Sequence, residues 1–255
     1  AVCALAARAV EVEYGDDQFL PARCTIDLFK AARDVITSTR TRLTRSGGRI
    51  RVVDVEIVQH PEDGQEVVVA RGTTVFLRTS VNPPGERWQR PPEAVTFRPP
   101  RSTTTDDDLI PRWRPTRRAV HPGNGSTRCP ITRTPIANES GLARPPIVPG
   151  EEPTPFQRAV ISAESASVIS NWGGTTGIGF INCDLTVAIS RLPPRGERIG
   201  VEADLHVEDD GVSVSNAGLY DADGMFGTAL VTAVNNAAAQ IDFTTVDTTA
   251  RYRPL

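Results

Sequence analysis

The hydrophobic residues at the start of the chain recur first at helical spacing and then at strand spacing. Val2, Leu5 and Ala9 lie three or four positions apart, which predicts an amphipathic helix in an alanine-rich stretch. Four segments with the alternation typical of half-buried strands follow, separated by turn residues such as Gly47-Gly48 and Asp63-Gly64. These predicted strands cover residues 23–29, 35–43, 50–58 and 67–77.

A second region repeats this plan about 160 residues further along the chain. Thr154, Pro155 and Gln157 have the spacing of a capping box with proline in the first turn, so they predict a helix that continues towards Ile169. Strand-like segments follow at residues 180–189, 198–207, 211–220 and 226–234. A helix and a four-strand meander that occur twice indicate internal duplication, with two antiparallel sheets joined edge to edge into one broad sheet.

Proline marks the boundary between the two regions. Sixteen of the 21 prolines lie between Pro83 and Pro155, and proline disfavours long regular elements. We therefore expect an N-terminal unit at 1–80, a proline-rich linker at 81–110 and a C-terminal unit at 111–255. The strand that precedes the helix of the second unit is expected within residues 112–136, whereas the first unit begins directly with its helix.

Composition and charge argue against several classes of function. The formal charge of −3 argues against a general nucleic-acid binder. No apolar run approaches the roughly 20 residues of a membrane span. The first residues do not have the pattern of a signal peptide, so a cytoplasmic location is expected. The four cysteines form no CxxC pair and the three histidines are scattered, so the sequence predicts reduced thiols and no metal site, and leaves a disulfide open.

Three fragments carry a family likeness: residues 150–167 at the second helix, 180–197 at a strand that ends in Arg-x-Pro, and 218–230 at the last hairpin. On these fragments the chain resembles the double-hotdog thioesterase-like family, related to acyl-CoA thioesterase II. The resemblance implies an α+β fold, a tandem hotdog in which each antiparallel sheet wraps around an alanine-rich helix. It also implies a hydrolase of fatty acid metabolism that converts acyl-CoA to free acid and coenzyme A without a cofactor.

The same resemblance implies a helix aspartate, a hydroxyl residue and a glutamine as the catalytic set of the second hotdog. Their positions fall at Glu164, near Asp204 and near Thr232, and only the first keeps a matching group. Each residue also has a plain structural interpretation, as a solvated helix acid, a solvent-facing strand residue and a packed β residue. The departures leave open a second hypothesis, a degenerate hotdog that binds acyl-CoA or lipid or serves in assembly.

Coenzyme A carries phosphates, which arginine side chains typically bind. Arg191 and Arg195 follow a strand and are the first candidates for that role. Arg45 with Arg49, and the arginines of residues 112–118, are alternatives, and all of them are also consistent with a solvated surface. Residues 173–177 are glycine-rich but follow a helix and contain no lysine, so they do not predict a nucleotide loop. Acidic residues 106–108 are interpreted as a solvated patch.

Assembly follows from the edges of the two predicted sheets. An unpaired strand exposes backbone donors and acceptors, so we expect the two units to pair as a pseudo-dimer and to leave the outer edges for a homo-oligomer. The catalytic residues are then expected in a shared cavity where the units meet, with Glu164 close to Asp204 or Thr232.

Overall fold

The structure is a computed structural model that describes residues 2–62, 64–88, 136–138, 147–171 and 177–240, with only the strand assignment given for 136–138. The first half begins with one helix, as its alanine-rich apolar stripe predicts, and continues with four strands. These elements are α1 (Val2–Tyr14), β1 (Phe19–Leu28), β2 (Thr37–Ser46), β3 (Ile50–Gln59) and β4 (Val67–Arg78).

The second half contains a broken helix and the remaining strands. The elements are β5 (Ile136–Asn138), α2 (Pro155–Ala163), α3 (Ser165–Ser170), β6 (Phe180–Asn182), β7 (Asp184–Ile189), β8 (Ile199–Asp209), β9 (Val212–Asp221) and β10 (Gly224–Asn235). β5 pairs with β8 and lies at the end of the segment in which a first strand of this unit was expected.

The ten strands found among the described residues belong to one antiparallel sheet, in the order β2-β3-β4-β1-β7-β10-β9-β8-β5 with β6 beside β10. The four long strands of each half follow the same order, since β2-β3-β4-β1 corresponds to β8-β9-β10-β7. The two predicted sheets are therefore halves of a single continuous sheet. The predicted strands agree with the observed ones except at their ends and at Cys183, where residues 180–189 divide into β6 and β7.

The two halves join through the pairing of β1 with β7. Thr25 lies opposite Thr186 at the centre of this pairing, and the Thr186 hydroxyl donates to Thr25 Oγ1 over 3.1 Å. The five paired positions place Cys24 opposite Val187 and Ile26 opposite Leu185, and these four side chains are buried on the helix-facing side. We call this side the inner face and the opposite side, which carries Thr25 and Thr186, the outer face.

The helices lie on the inner face, where they share one hydrophobic core with alternate residues of the strands. The predicted capping box is confirmed, because Thr154 Oγ1 accepts from the Gln157 N–H and the Gln157 side chain accepts from the Thr154 N–H. The Glu11 carboxylate of α1 accepts from Thr154 Oγ1 over 2.5 Å and from Gln157 Nε2 over 2.7 Å. This carboxylate links α1 to the first turn of α2, where the helix dipole favours negative charge.

The second helix departs from the sequence prediction. It was expected to run unbroken towards Ile169, but it divides at Glu164 into α2 and the short α3. Ala159, Val160 and Ala163 of α2 are fully buried, and Ala166 of α3 continues the same buried face. The break therefore keeps the apolar face on the sheet.

Replacing Glu11 with alanine tests the link between the helices. The substitution removes the acceptor of two hydrogen bonds, so we expect the free energy of unfolding to fall by about 2 kcal/mol, as for bonds to a charged group. Chemical denaturation followed by circular dichroism measures the change. Glu152→Ala is the control, since Glu152 is exposed near the same helix start and should cost less than about 0.5 kcal/mol. Equal losses for the two variants would contradict the assigned role.

Candidate functional site

Glu164 lies at the junction between α2 and α3, where its N–H donates to Val160 O over 3.2 Å. Its side chain is half-buried and is hydrogen-bonded to the Cys3 thiol of α1. Burial, and then the nearby Glu164 carboxylate, raise the pKa of the Cys3 thiol well above its usual range, so this thiol stays protonated and donates. Glu164 is thus a carboxylate placed between helices of the two halves.

Asp204 lies at a bulge in β8, between Ala203 and Leu205. The register with β9 shifts at this point, so the side chain does not follow the simple alternation assumed from the sequence. Asp204 is half-buried, whereas Leu205 beside it is 48 % exposed. The bulge changes the direction of the β8 side chains that follow it, shortly before the strand ends at the β8–β9 turn.

Thr232 lies on the outer face of β10. Its neighbours Val231 and Ala233 are buried on the inner face, whereas its own hydroxyl donates to Asp184 Oδ2 over 2.5 Å and its N–H to Asp184 Oδ1 over 2.9 Å. Asp184 begins β7, so this contact anchors β7 beside β10. The structure therefore places Thr232 and Glu164 on opposite sides of the sheet. The prediction that these two residues share one cavity is wrong for this reason.

Arg191 is engaged within the fold. Its guanidinium binds both carboxylate oxygens of Asp221, at 2.7 Å from Oδ1, and Asp221 is completely buried. Asp221 Oδ1 also accepts the Asp223 N–H over 2.9 Å. The hydrogen bond to Asp221 raises the pKa of the Arg191 guanidinium. A phosphate at Arg191 would have to compete with the buried carboxylate of Asp221.

The loop after β7 is held by a residue that sequence reasoning passed over. Arg158 of α2 is 9 % exposed, and its guanidinium donates to the carbonyls of Pro194, over 3.0 Å, and of Glu197. Burial lowers the pKa of the Arg158 guanidinium. Arg195 lies between these two carbonyls in the same loop and is exposed. Of the two predicted phosphate contacts, Arg195 is the more exposed, and no ion pair of its guanidinium is shown among the described residues.

A polar group occupies the inner face beyond the end of α3. Ser215 of β9 lies opposite His206 of β8, with 3.0 Å between Ser215 Oγ and His206 Nδ1, and His206 Nε2 is 3.1 Å from Glu208 Oε2. Next along β9, the Ser213 hydroxyl donates to Asn171 Oδ1 over 2.9 Å. We call Ser215, His206 and Glu208 the β8–β9 polar line.

Sequence reasoning did not single out this line, although a signal was present. His206 and Glu208 are two residues apart before the hairpin turn, and Ser213 and Ser215 are two apart after it. Period-two spacing on both arms of a hairpin places all four side chains on one face. The hairpin register alone decides which of them meet, and the sequence does not provide it directly.

Several predicted candidates lie outside the described residues: the arginines of 112–118, the acidic residues 106–108 and residues 173–176 of the glycine-rich segment. Within the described ranges, no three His, Cys, Asp or Glu residues lie together in a group able to hold a metal ion. No helix among the described residues is both long and apolar enough to cross a membrane.

Comparison with known proteins identifies the class. Residues 92–234, more than half of the chain, match the family model of the acyl-CoA thioesterase C-terminal domain. The chain therefore belongs to the acyl-CoA thioesterase family, as its resemblance to thioesterase II implied, and hydrolysis of acyl-CoA is confirmed as its function at the level of that family. No curated protein is significantly similar to the chain.

Solved structures agree in fold. A tesB protein of Mycobacterium avium subspecies paratuberculosis has a TM-score of 0.59 and 10% identity, with 92% of this chain and 85% of that chain covered. The acyl-CoA thioesterase II TesB2 of Mycobacterium marinum has a TM-score of 0.55 and 13% identity, with 91% and 87% covered. At such identities the likeness concerns the fold alone, and it is consistent with the predicted α+β hotdog type.

Arg191→Gln tests whether this arginine is part of the fold. The variant leaves Asp221 buried without its cation, so we expect unfolding to become easier by about 2–3 kcal/mol, below the range for a fully buried pair because the Arg191 side chain is 38% exposed. Arg195→Gln, in the same exposed loop, should change stability by less than about 0.5 kcal/mol. Thermal and urea denaturation measure both variants. An unchanged stability of the Arg191 variant would show that the ion pair contributes nothing to the fold.

Proposed function

We propose that this chain is a double hotdog that hydrolyses an acyl-CoA thioester to a free acid and coenzyme A at a site in its C-terminal half. Membership of the acyl-CoA thioesterase family is the observation that carries the proposal, because the matching family model describes the C-terminal domain and spans residues 92–234. Within the proposal, the chain divides into units at 1–80 and 111–255 with a linker at 81–110.

The double hotdog is supported by details that recur in both halves. The strand order repeats, and β4 and β10 each contain one extra residue relative to the neighbouring strand, Val69 and Phe226. Each extra residue is the third of its strand, and both are buried on the core side. Thr25 and Thr186 meet at the centre of the seam and are themselves separated by about 160 residues, the offset of the repeat. A two-fold relation between the halves would place equivalent residues opposite each other in this way.

Glu164 is the proposed carboxylate of the site. A thioester needs an activated water, and a half-buried carboxylate between two helices is able to accept a proton from water and orient it. The Cys3 thiol remains protonated and donates to Glu164, so it restrains the carboxylate without adding charge. Attack of the water on the carbonyl carbon breaks the carbon–sulfur bond, and coenzyme A leaves with the proton.

The other predicted site residues have different roles in the proposal. Asp204 stays in the proposal as a second polar group of the same half, at the β8 bulge. Thr232 contributes through its contact with Asp184 and not as a donor to the thioester. Arg195 is the proposed contact for a coenzyme A phosphate, since it is exposed, and Arg191 supports the loop from its ion pair with Asp221.

We propose a cytoplasmic location for the protein and no nucleic-acid partner. Cys3, Cys24 and Cys183 are free thiols among the described residues, which fits a reducing compartment. The net charge of −3 does not favour a polyanion.

A panel of acyl-CoA substrates of increasing chain length tests the function. Released coenzyme A should be followed by chromatography, or by a thiol reagent in a Cys183→Ser background, because the exposed Cys183 thiol would itself react. Release for at least one chain length supports hydrolysis. Binding without release for every chain length supports the alternative, a degenerate hotdog that binds acyl-CoA, and contradicts the proposal.

Glu164→Gln tests the catalytic carboxylate. The amide cannot accept the proton of water, so we expect kcat to fall by about 100-fold or more, with a smaller change in KM. Circular dichroism should show a folded protein, because glutamine and glutamate have similar helix propensity. Glu152→Gln, an exposed acid near the start of α2, is the matched control and should keep the parent rate. The parent rate in the Glu164 variant would remove this residue from the site.

We propose that the chain forms a homo-oligomer through the outer face of its second half. Apolar side chains between 40% and 54% exposed gather there on β6, β8, β9 and β10: Ile181, Leu205, Val207, Val212, Leu230 and Val234. A contiguous apolar face of this kind is typical of protein contacts, and a second copy of the chain is the proposed occupant.

Val207→Lys tests this interface by placing a charge at the centre of the apolar face. We expect sedimentation equilibrium to show a dimer for the parent and a monomer for the variant, because a buried unpaired charge is costly. Val81→Lys is the control, since Val81 is 93% exposed on a loop of the other half, and it should leave the dimer intact. A monomeric parent protein would contradict the proposal.

A further inference from the structure

Arg158 of α2 clamps the turn that presents Arg195. The turn comprises residues 194–197, with the exposed Arg195 and Gly196 at its two central positions. The Arg158 guanidinium donates to the carbonyl oxygen of Pro194, over 3.0 Å, and to that of Glu197, the first and last residues of this turn. Because the guanidinium is planar and rigid, its two bonds fix the separation of these two carbonyls.

The backbone of the 194–197 turn is restrained as well. Gly196 has a φ of 72°, in the left-handed region that favours glycine. Pro193 and Pro194 precede Arg195, and proline fixes φ. With so little freedom left in the turn, the direction of the Arg195 side chain depends on where Arg158 holds the turn against α2.

The two arginines differ in burial. Arg158 is only 9% exposed, so its charge is not offered to a ligand in solvent. A buried charge is costly unless it is hydrogen-bonded, and the bonds of Arg158 to the turn meet that requirement. Arg195 is exposed at the tip of the same turn. One arginine therefore holds the loop, and the other is available to a ligand.

The helix that carries Arg158 also carries the proposed catalytic carboxylate. Glu164, at the C-terminal end of α2, lies six residues after Arg158, which is about 9 Å along a helix axis. One rigid element thus sets the position of the carboxylate and of the turn. In coenzyme A the nucleotide phosphates and the sulfur are at opposite ends of the pantetheine arm, so the two groups suit opposite ends of one substrate.

The corresponding loop of the first half is held in a different way. Residues 29–36 join β1 to β2, as residues 190–198 join β7 to β8. Gln59 of β3 holds that loop, because its side chain accepts from the Arg33 N–H over 3.0 Å and donates to the Arg33 carbonyl over 2.8 Å. This clamp comes from a strand and not from a helix. Arg33 is exposed in its loop and provides an internal control.

We propose that Arg158 is a positioning residue that gives this chain a preference for thioesters of coenzyme A over thioesters that lack the nucleotide. By holding the 194–197 turn, it directs Arg195 to a phosphate of coenzyme A while Glu164 acts at the thioester. Loss of the clamp frees the turn and weakens the phosphate contact, but leaves the thioester end of the substrate unaffected. The inference rests on the proposed function and adds to it a determinant of substrate selectivity.

Two substrates with the same acyl group test this role: the acyl-CoA, and the acyl-pantetheine, which has the thioester without the nucleotide. Arg158→Gln should raise KM for acyl-CoA about 3- to 5-fold and Arg195→Gln about 5-fold, as expected for an exposed charge pair. Neither variant should change KM for acyl-pantetheine by more than about 1.5-fold, or kcat for either substrate by more than about 2-fold. Arg33→Gln is the matched control and should keep both KM values. Equal changes with the two substrates would show a merely structural role and overturn the inference.

The double variant tests whether Arg158 acts through Arg195. If it does, KM for acyl-CoA in Arg158→Gln/Arg195→Gln should stay about 5-fold above the parent, as in Arg195→Gln alone. Independent contributions would multiply instead, to about 15-fold or more. A multiplied effect overturns the inference.

Gly196→Ala changes the turn without touching the buried guanidinium. Alanine is strained at positive φ, and its Cβ would meet no atom within 4 Å, so a folded protein is expected. KM for acyl-CoA should rise about 2- to 3-fold, with no change for acyl-pantetheine. Gly64→Ala is the control, since Gly64 has a φ of 81° and equally open surroundings in a turn of the first half. An unchanged KM for acyl-CoA in Gly196→Ala would overturn the inference even if Arg158→Gln does not fold.

Binding of coenzyme A separates this inference from the proposed function. Calorimetry should show the Kd of coenzyme A raised about 3- to 5-fold in Arg158→Gln, as for KM. Turnover of acyl-CoA with unchanged Kd and KM in that variant leaves the function standing and overturns the inference. Weakened binding in the variant, with no hydrolysis of any thioester by the parent, contradicts the function and supports the positioning role. A parent that neither binds coenzyme A nor hydrolyses its thioesters would overturn both.

Discussion

The pairing of β1 with β7 is the constraint on which the rest of the structure depends. Each of these strands would otherwise be the free edge of a four-strand meander, with exposed backbone donors and acceptors. Their pairing makes one sheet from two and places α1 and α2 side by side on its inner face, so that both helices bury their apolar residues in a common core. The links from Glu11 to Thr154 and from Cys3 to Glu164 exist only because the halves are joined in this way.

Some arginines of this molecule have structural roles and are not simply available for a ligand. Of the 28 basic residues, 27 are arginine, and abundance alone made every cluster a candidate for phosphate. The structure shows Arg158 bound to carbonyls of a loop and Arg191 bound to the buried Asp221. The planar guanidinium forms two hydrogen bonds at fixed geometry, which suits it to such buried contacts. The exposure of an arginine and its existing partners therefore distinguish a structural arginine from a ligand-binding one better than clustering along the sequence does.

Local signals in the sequence predicted much of the fold. The capping box at Thr154 and Gln157 depends on contacts within one turn, and the hairpin at Gly47-Gly48 depends on local backbone preferences, so both could be predicted directly. The breaks at Glu164 and Cys183 could not. The Cys183 N–H donates to Thr232 O and its carbonyl accepts the Leu28 N–H, and both partners are remote in the chain. A strand break that is fixed by hydrogen bonds to two strands distant in the chain leaves no signal in the residues next to it in the sequence.

The sequence by itself determined most of the helix and strand positions, the repeat and the family, because periodicity, turn residues and motif fragments are properties of short segments. Tertiary structure alone decided which side of the sheet Thr232 occupies, which carboxylate Arg191 binds and that Ser215 lies against His206. Each of these depends on strand register, and a bulge such as the one at Asp204 shifts the register that alternation would assign. A site built across strands is therefore specified by how the strands pair, and that pairing is a property of the whole sheet.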